Sequence, residues 1–159
     1  MAVKIDTGYS AKDRGDIAAN LTKVLADTYA VYLKTHGYHW NVRGPNFASL
    51  HQLFSDQYNE SWTALDELAE RIRALGELAP QGYNALANLT GIKDGDAESG
   101  WEQMVQELMQ DNETVIATLR AAFPAAEAAG DQATMDLLTV RLAAHEKNAW
   151  MLRSTLGVK

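Results

Sequence analysis

The sequence predicts an all-α protein built on four long helices. Apolar residues recur at three- and four-residue steps over nearly the whole chain, no useful stretch alternates as a strand would, and Gly and Pro gather at a few junctions. At 159 residues, 47% hydrophobic and 22% charged, the composition is globular and the length suits one domain with a sizeable core. No internal repeat, low-complexity tract or composition shift divides the chain, so residues 1–159 read as one domain with a short N-terminal extension over residues 1–12.

Each helix follows from its own stripe. Ile17, Leu21, Val24, Leu25, Thr28 and Tyr32 set the first, with Asp13 as the expected N-cap and an end near Trp40. Gly44-Pro45-Asn46 then turns the chain. Phe47, Leu50, Phe54, Tyr58, Trp62, Leu65, Ala69, Ile72 and Leu75 form the second stripe, which stops at Gly76 after about eight turns. Residues 77–100 are mixed and rich in Gly, with room for one short helix from Tyr83 to Leu89. Ser99 and Glu102 read as a capping box that starts the third helix, whose stripe runs through Trp101, Met104, Val105, Leu108, Val115 and Leu119. Pro124 is expected to kink or end it before Gly130. Asp131 is the expected cap of the fourth helix, which carries Leu137, Leu138, Arg141, Leu142, His145, Ala149, Leu152 and Leu156. Four long helices with a long crossover between the middle pair describe a ferritin-like four-helix bundle better than a simple up-and-down one.

Charge and motifs exclude several function classes. A formal charge of −7 and a pI near 5.0 argue against a generally basic nucleic-acid surface and suit a protein that attracts cations. No apolar run approaches the ~20 residues of a membrane-spanning helix, so no membrane partner is expected. The first residues lack the features of a secretory signal and the chain has no cysteine, which together point to the cytoplasm. Phosphate-binding Gly loops, a GxSxG elbow and an HExxH helix are all absent. So is the inward-facing Glu-x-x-His of di-iron bundles.

The stretch HWNVRGPNF, from His39 to Phe47, carries the chemistry together with His51. His39 ends the first helix and His51 lies in the first turns of the second, so an antiparallel hairpin brings their rings together across the turn. Asp66 and Glu70, in LDELAERI, stand four apart and share a helical face on which both carboxylates reach one ion. Two imidazoles with carboxylate oxygens suit Fe(II) or Zn(II), and an incomplete shell leaves positions open for an oxidant. Within one chain, however, the fifteen residues from His51 to Asp66 span roughly 22 Å of straight helix. A two-fold dimer with antiparallel second helices removes the difficulty, because the histidines of one subunit then meet the carboxylates of the other. His36 is expected to face solvent or the turn, and His145 to make a structural hydrogen bond within the fourth helix. Trp62, Trp101 and Trp150 read as packing residues.

In HWNVRGPNF, in LHQLF around His51, in LDELAERIRALG and in HEKNAWML near the C-terminus, the sequence resembles the Dps family of miniferritins. The resemblance runs from about Asp16 to Leu156. It implies that His39, His51, Asp66 and Glu70 form a ferroxidase centre shared between two subunits, with iron as its metal and hydrogen peroxide as the preferred oxidant. It also implies a hollow homo-oligomer of twelve subunits that stores ferric mineral and iron-entry pores lined by Glu127, Asp131 and Asp136, and it sets Trp40 beside the centre, a position that suits either packing or a redox role. Relatives that bind DNA commonly use lysine-rich tails, whereas residues 1–15 set Lys4, Lys12 and Arg14 against Asp6 and Asp13. DNA binding is therefore expected to be weak. Two rival readings are a structural DNA-compacting protein and a non-catalytic metal-binding assembly module.

Overall fold

The computed structural model describes residues 5–157 as five helices, with no strand among them. Lys4 and Lys159 lie outside the described residues. Helix α1 (Ala11–Asn41) and helix α2 (Phe47–Ala74) form a hairpin, and the crossover carries the short α3 (Tyr83–Ala87). Helices α4 (Trp101–Ala128) and α5 (Gln132–Thr155) form a second hairpin, packed on the first mainly through α1 against α4.

Local chemistry corrects two expected boundaries. Helix α1 starts one turn earlier than Asp13 implied: Ser10 is the N-cap, its Oγ accepting from the Asp13 amide at 3.1 Å while its hydroxyl donates to the Asp13 carboxylate at 2.6 Å. Asp13 therefore serves as the third-position partner of a cap. The Ser99–Glu102 capping box does not form either. Gly100 is the N-cap of α4 without any side-chain bond, and Ser99 is buried with its amide turned onto the Asp96 carbonyl. Helix α4 ends at Ala128, before Gly130 as expected, with Pro124 inside its last turns. The remaining punctuation holds. Gly76 and Gly130 adopt positive φ of 94° and 64° just beyond α2 and α4, and the Asp131 carboxylate caps α5 through the Thr134 amide.

Apolar stripes bury into two clusters. One joins Leu21, Val24, Leu68, Ile72, Leu119 and Leu138; the other, beside the α1–α2 turn, joins Tyr38, Leu50, Phe54, Met104, Leu108 and Leu152. Between them on α2, α4 and α5 runs a polar layer. Arg141 and His145, 2% and 0% exposed, lie in the bundle interior, where the guanidinium binds both oxygens of Glu60 on α2 and its Nη2 donates to His145 Nε2 at 3.3 Å. With Nε2 accepting, His145 Nδ1 carries the proton and donates to Asn112 Oδ1 on α4 at 2.8 Å. Asn112 in turn donates to the Leu108 carbonyl. The expected bond within the last helix thus exists, and it is one link in a chain that ties three helices.

This layer makes stability depend on pH. Burial, reinforced by the neighbouring Arg141 charge, lowers the His145 pKa to about 3 from the ordinary 6.5. Below 6.5 the unfolded chain takes up a proton that the folded one refuses, so stability is lost as pH falls through the window toward 3. Urea unfolding should show a steeper loss between about pH 6.5 and 4.5 in the wild type than in His145→Gln, which cannot titrate there. Parallel curves for the two proteins would rule His145 out as the titrating group.

Candidate metal centre

The α1–α2 turn does what its sequence implies. His39 and His51 stack with ring centroids 3.7 Å apart and planes 20° from parallel. Each Nδ1 lies 2.8 Å from the other residue's backbone carbonyl oxygen, so the two side chains bond reciprocally across the turn. A carbonyl can only accept, so both Nδ1 atoms carry the proton. Both Nε2 lone pairs are left free for a ligand, and the carbonyl bonds fix ring orientation in the way that metal-ligating histidines require. His39 supplies one of the last carbonyls of α1, which lacks an intrahelical donor, so the bond from His51 also completes the helix end.

Aromatic rings enclose the pair. Phe47 stacks on His51 at 5.1 Å, and Tyr58 meets His39 edge-on at 5.2 Å. His36 is half-buried: its ring stacks on Tyr58 at 3.9 Å, and its Nδ1 lies 3.4 Å from the Tyr32 hydroxyl. It is therefore packed into the site's flank instead of facing solvent. Burial, with a smaller contribution from the His39 charge, pushes its pKa below the ordinary histidine value. Trp40 stands 4.3 Å from His36 and is 67% exposed, beside the pair without stacking on it. Sequence reading missed the roles of Tyr58 and His36. The available signal was spacing, since Tyr58 follows His51 by seven residues and shares its helical face.

Asp66 and Glu70 lie on the exposed face of α2. Asp66 borders an open groove of ≈ 730 Å³ whose wall includes Tyr29, Trp62, Leu65, Pro80 and Leu86. Trp62, 61% exposed, lies on this face beside Asp66. Among the described residues, no group of three or more His, Asp or Glu converges within one protomer on a point where a metal ion could sit. The protomer thus joins the two histidines and leaves the two carboxylates apart from them.

The three acidic residues at the α4–α5 corner have different surroundings. Glu127 and Asp136 are exposed, but Asp131 is fully buried. Arg71 Nη2 donates to both Asp131 oxygens at 2.7 Å, and the Thr134 amide and hydroxyl add two more bonds. Burial alone would raise the Asp131 carboxyl, but the bonds from Arg71 and Thr134 outweigh it and hold the pKa below the ordinary carboxylate value. The side chain is a clasp between the corner and α2, placed one residue after Glu70.

The comparisons with known proteins agree with this architecture. A family model described as a ferritin-like domain matches residues 18–158. The chain is 36% identical over 137 residues to DNA protection during starvation protein 2 of Bacillus anthracis, an alignment spanning 86% of this chain and 94% of that one. It is 34% identical over 140 residues to the DNA protection during starvation protein of Brevibacillus brevis, spanning 88% and 94%. Among solved structures it is similar to the Dps protein of Vibrio cholerae O1, described as a member of a broad superfamily of ferritin-like diiron-carboxylate proteins. That match has a TM-score of 0.91, 27% identity, and coverage of 98% of this chain and 99% of the other. DpsC from Streptomyces coelicolor matches with a TM-score of 0.93 at 27% identity, covering 98% and 92%. On sequence, helix order and bundle geometry together, the chain belongs to the Dps family of ferritin-like proteins.

Proposed function

We propose that the protein is a ferroxidase that oxidises Fe(II), with hydrogen peroxide as the preferred oxidant, and stores the Fe(III) product in a hollow shell of twelve copies. The observation that carries the reading is the stacked pair of His39 on α1 and His51 on α2, both Nε2 atoms free, with an exposed carboxylate pair farther along α2, roughly 22 Å from His51. A two-fold axis that sets α2 antiparallel to its copy closes that distance, and the exposed Trp62 on α2 supplies apolar surface for such a contact. His39 and His51 would hold Fe(II) through nitrogen, while Asp66 and Glu70 of the other subunit would supply carboxylate oxygen, a donor set suited to iron. In the reaction two Fe(II) ions each give up one electron, the O–O bond of peroxide breaks, and two protons complete two waters. No hydroxyl radical is released by that stoichiometry, which fits the protective role in the names of the relatives.

Glu127 and Asp136, exposed at the α4–α5 corner, would line the route by which Fe(II) enters, and Trp40, exposed beside the pair, would serve as an electron donor at the centre. We place the protein in the cytoplasm; among the described residues no helix is long and apolar enough to cross a membrane. Anaerobic protein loaded with Fe(II) should oxidise it rapidly on addition of peroxide and more slowly with dioxygen alone, followed by ferric absorbance. Iron that stays ferrous with both oxidants would leave the metal-binding assembly module as the better reading.

DNA contact should be weak. A charge of −7 per chain opposes phosphate, and salt at about 0.15 M screens what attraction Lys12 and Arg14 offer. A tight, sequence-independent gel shift at that salt would favour DNA compaction instead.

A further inference from the structure

The bundle interior holds a second set of groups with metal-ligand chemistry, and a side chain already sits among them. Glu60 on α2 and His145 on α5 bracket the Arg141 guanidinium: its Nη2 lies 3.0 Å from Glu60 Oε2 and 3.3 Å from His145 Nε2. Gln57, one turn before Glu60 on the same face of α2, is 95% buried, and its amide oxygen and nitrogen find no partner among the described residues. A carboxylate and a neutral imidazole with its Nε2 lone pair turned inward are donors that Zn(II), Co(II) or Fe(II) would accept, and the unpartnered Gln57 amide lines the same α2–α5 cleft as Glu60. The imidazole is oriented as a ligand would be, because Nδ1 is bonded to Asn112.

We propose that Arg141 fills the cation position of this interior set and so confines metal binding to the surface between subunits. The Glu60 carboxylate, its side chain 43% exposed, receives here a counter-charge that is tethered, permanently charged and redox-inert. A free divalent ion cannot enter while a fixed positive charge occupies the middle of the site. The inference extends the ferroxidase reading by naming the residue that decides where iron does not go. Iron held inside the bundle would be enclosed by the α2–α5 packing and separated from the His39–His51 pair.

The test uses Co(II) on the assembled protein in a His39→Ala, His51→Ala background, so that the shared centre is silent and its status does not affect the answer. Added Arg141→Ala should gain one tightly bound Co(II) per chain, seen by calorimetry and by a visible absorption band. Further substitution of His145→Gln should abolish both signals. Equal Co(II) binding with and without Arg141→Ala, at unchanged assembly mass, overturns the proposal. Should Arg141→Ala not assemble alone, it is refolded with Co(II) or Mg(II). Assembly regained with Co(II) only supports the proposal, and assembly with neither or with both overturns it.

Discussion

Two variants that are each inactive alone should regain activity when assembled together. One carries His39→Ala with His51→Ala, and the other carries Asp66→Ala with Glu70→Ala. In the first, every two-fold pair lacks the imidazoles; in the second, every pair lacks the carboxylates. A mixed pair has one site missing both sets and one site with both, the imidazoles from one chain and the carboxylates from the other. Random pairing of equal amounts makes half the pairs mixed, so about a quarter of all sites are intact and about a quarter of the wild-type rate should return. The geometry behind this is the continuity of α2, which runs from Phe47 to Ala74 with no glycine or proline inside it. Its rise fixes the two ligand pairs too far apart to serve one ion in one chain. Fe(II) oxidation is measured on co-refolded protein whose mixed composition is confirmed by mass. A mixture as inactive as its parents would end the shared-site model and the two-fold contact drawn from it.

Much of this was legible in the sequence because helical periodicity and one short turn carry it. The α1–α2 hairpin needed only the stripes on either side of Gly44-Pro45-Asn46, and that hairpin forces His39 against His51. Starting caps were less legible: Ser10 and Asp13 both suit an N-cap, and only the direction of the Asp13 amide onto Ser10 distinguishes them. Tyr58 sat in the apolar stripe of α2, where a ring that flanks a histidine pair looks the same as one that fills the core. Asp131 was readable as a cap. Its burial depends on Arg71, sixty residues away in sequence, and no local pattern announces such a partner. The same holds for Arg141 and His145. Both lie on the stripe of α5, but Glu60, which makes the arginine tolerable in the interior, is 81 residues upstream on α2.

That ion pair should respond asymmetrically to the loss of its two ends. The Glu60 side chain is 43% exposed and the Arg141 side chain only 2%. Glu60→Ala strands a guanidinium inside the bundle with little besides His145 Nε2 to accept from it, at a cost of about 3–5 kcal/mol. Arg141→Met leaves a carboxylate that turns into water and an apolar side chain between two apolar clusters. Its main penalty is the unpaired His145 Nε2, about 1–3 kcal/mol for a buried acceptor. The double variant is the decisive member of the set. Adding Arg141→Met to Glu60→Ala removes the stranded charge, so the double variant should be more stable than Glu60→Ala alone, the second substitution recovering part of what the first destroyed. Urea unfolding of the three variants and the wild type at neutral pH gives the order directly. A Glu60→Ala protein no less stable than Arg141→Met, with a double variant that simply adds the two losses, would mean that water or another group satisfies Arg141 and that Glu60 is not the partner on which its burial depends.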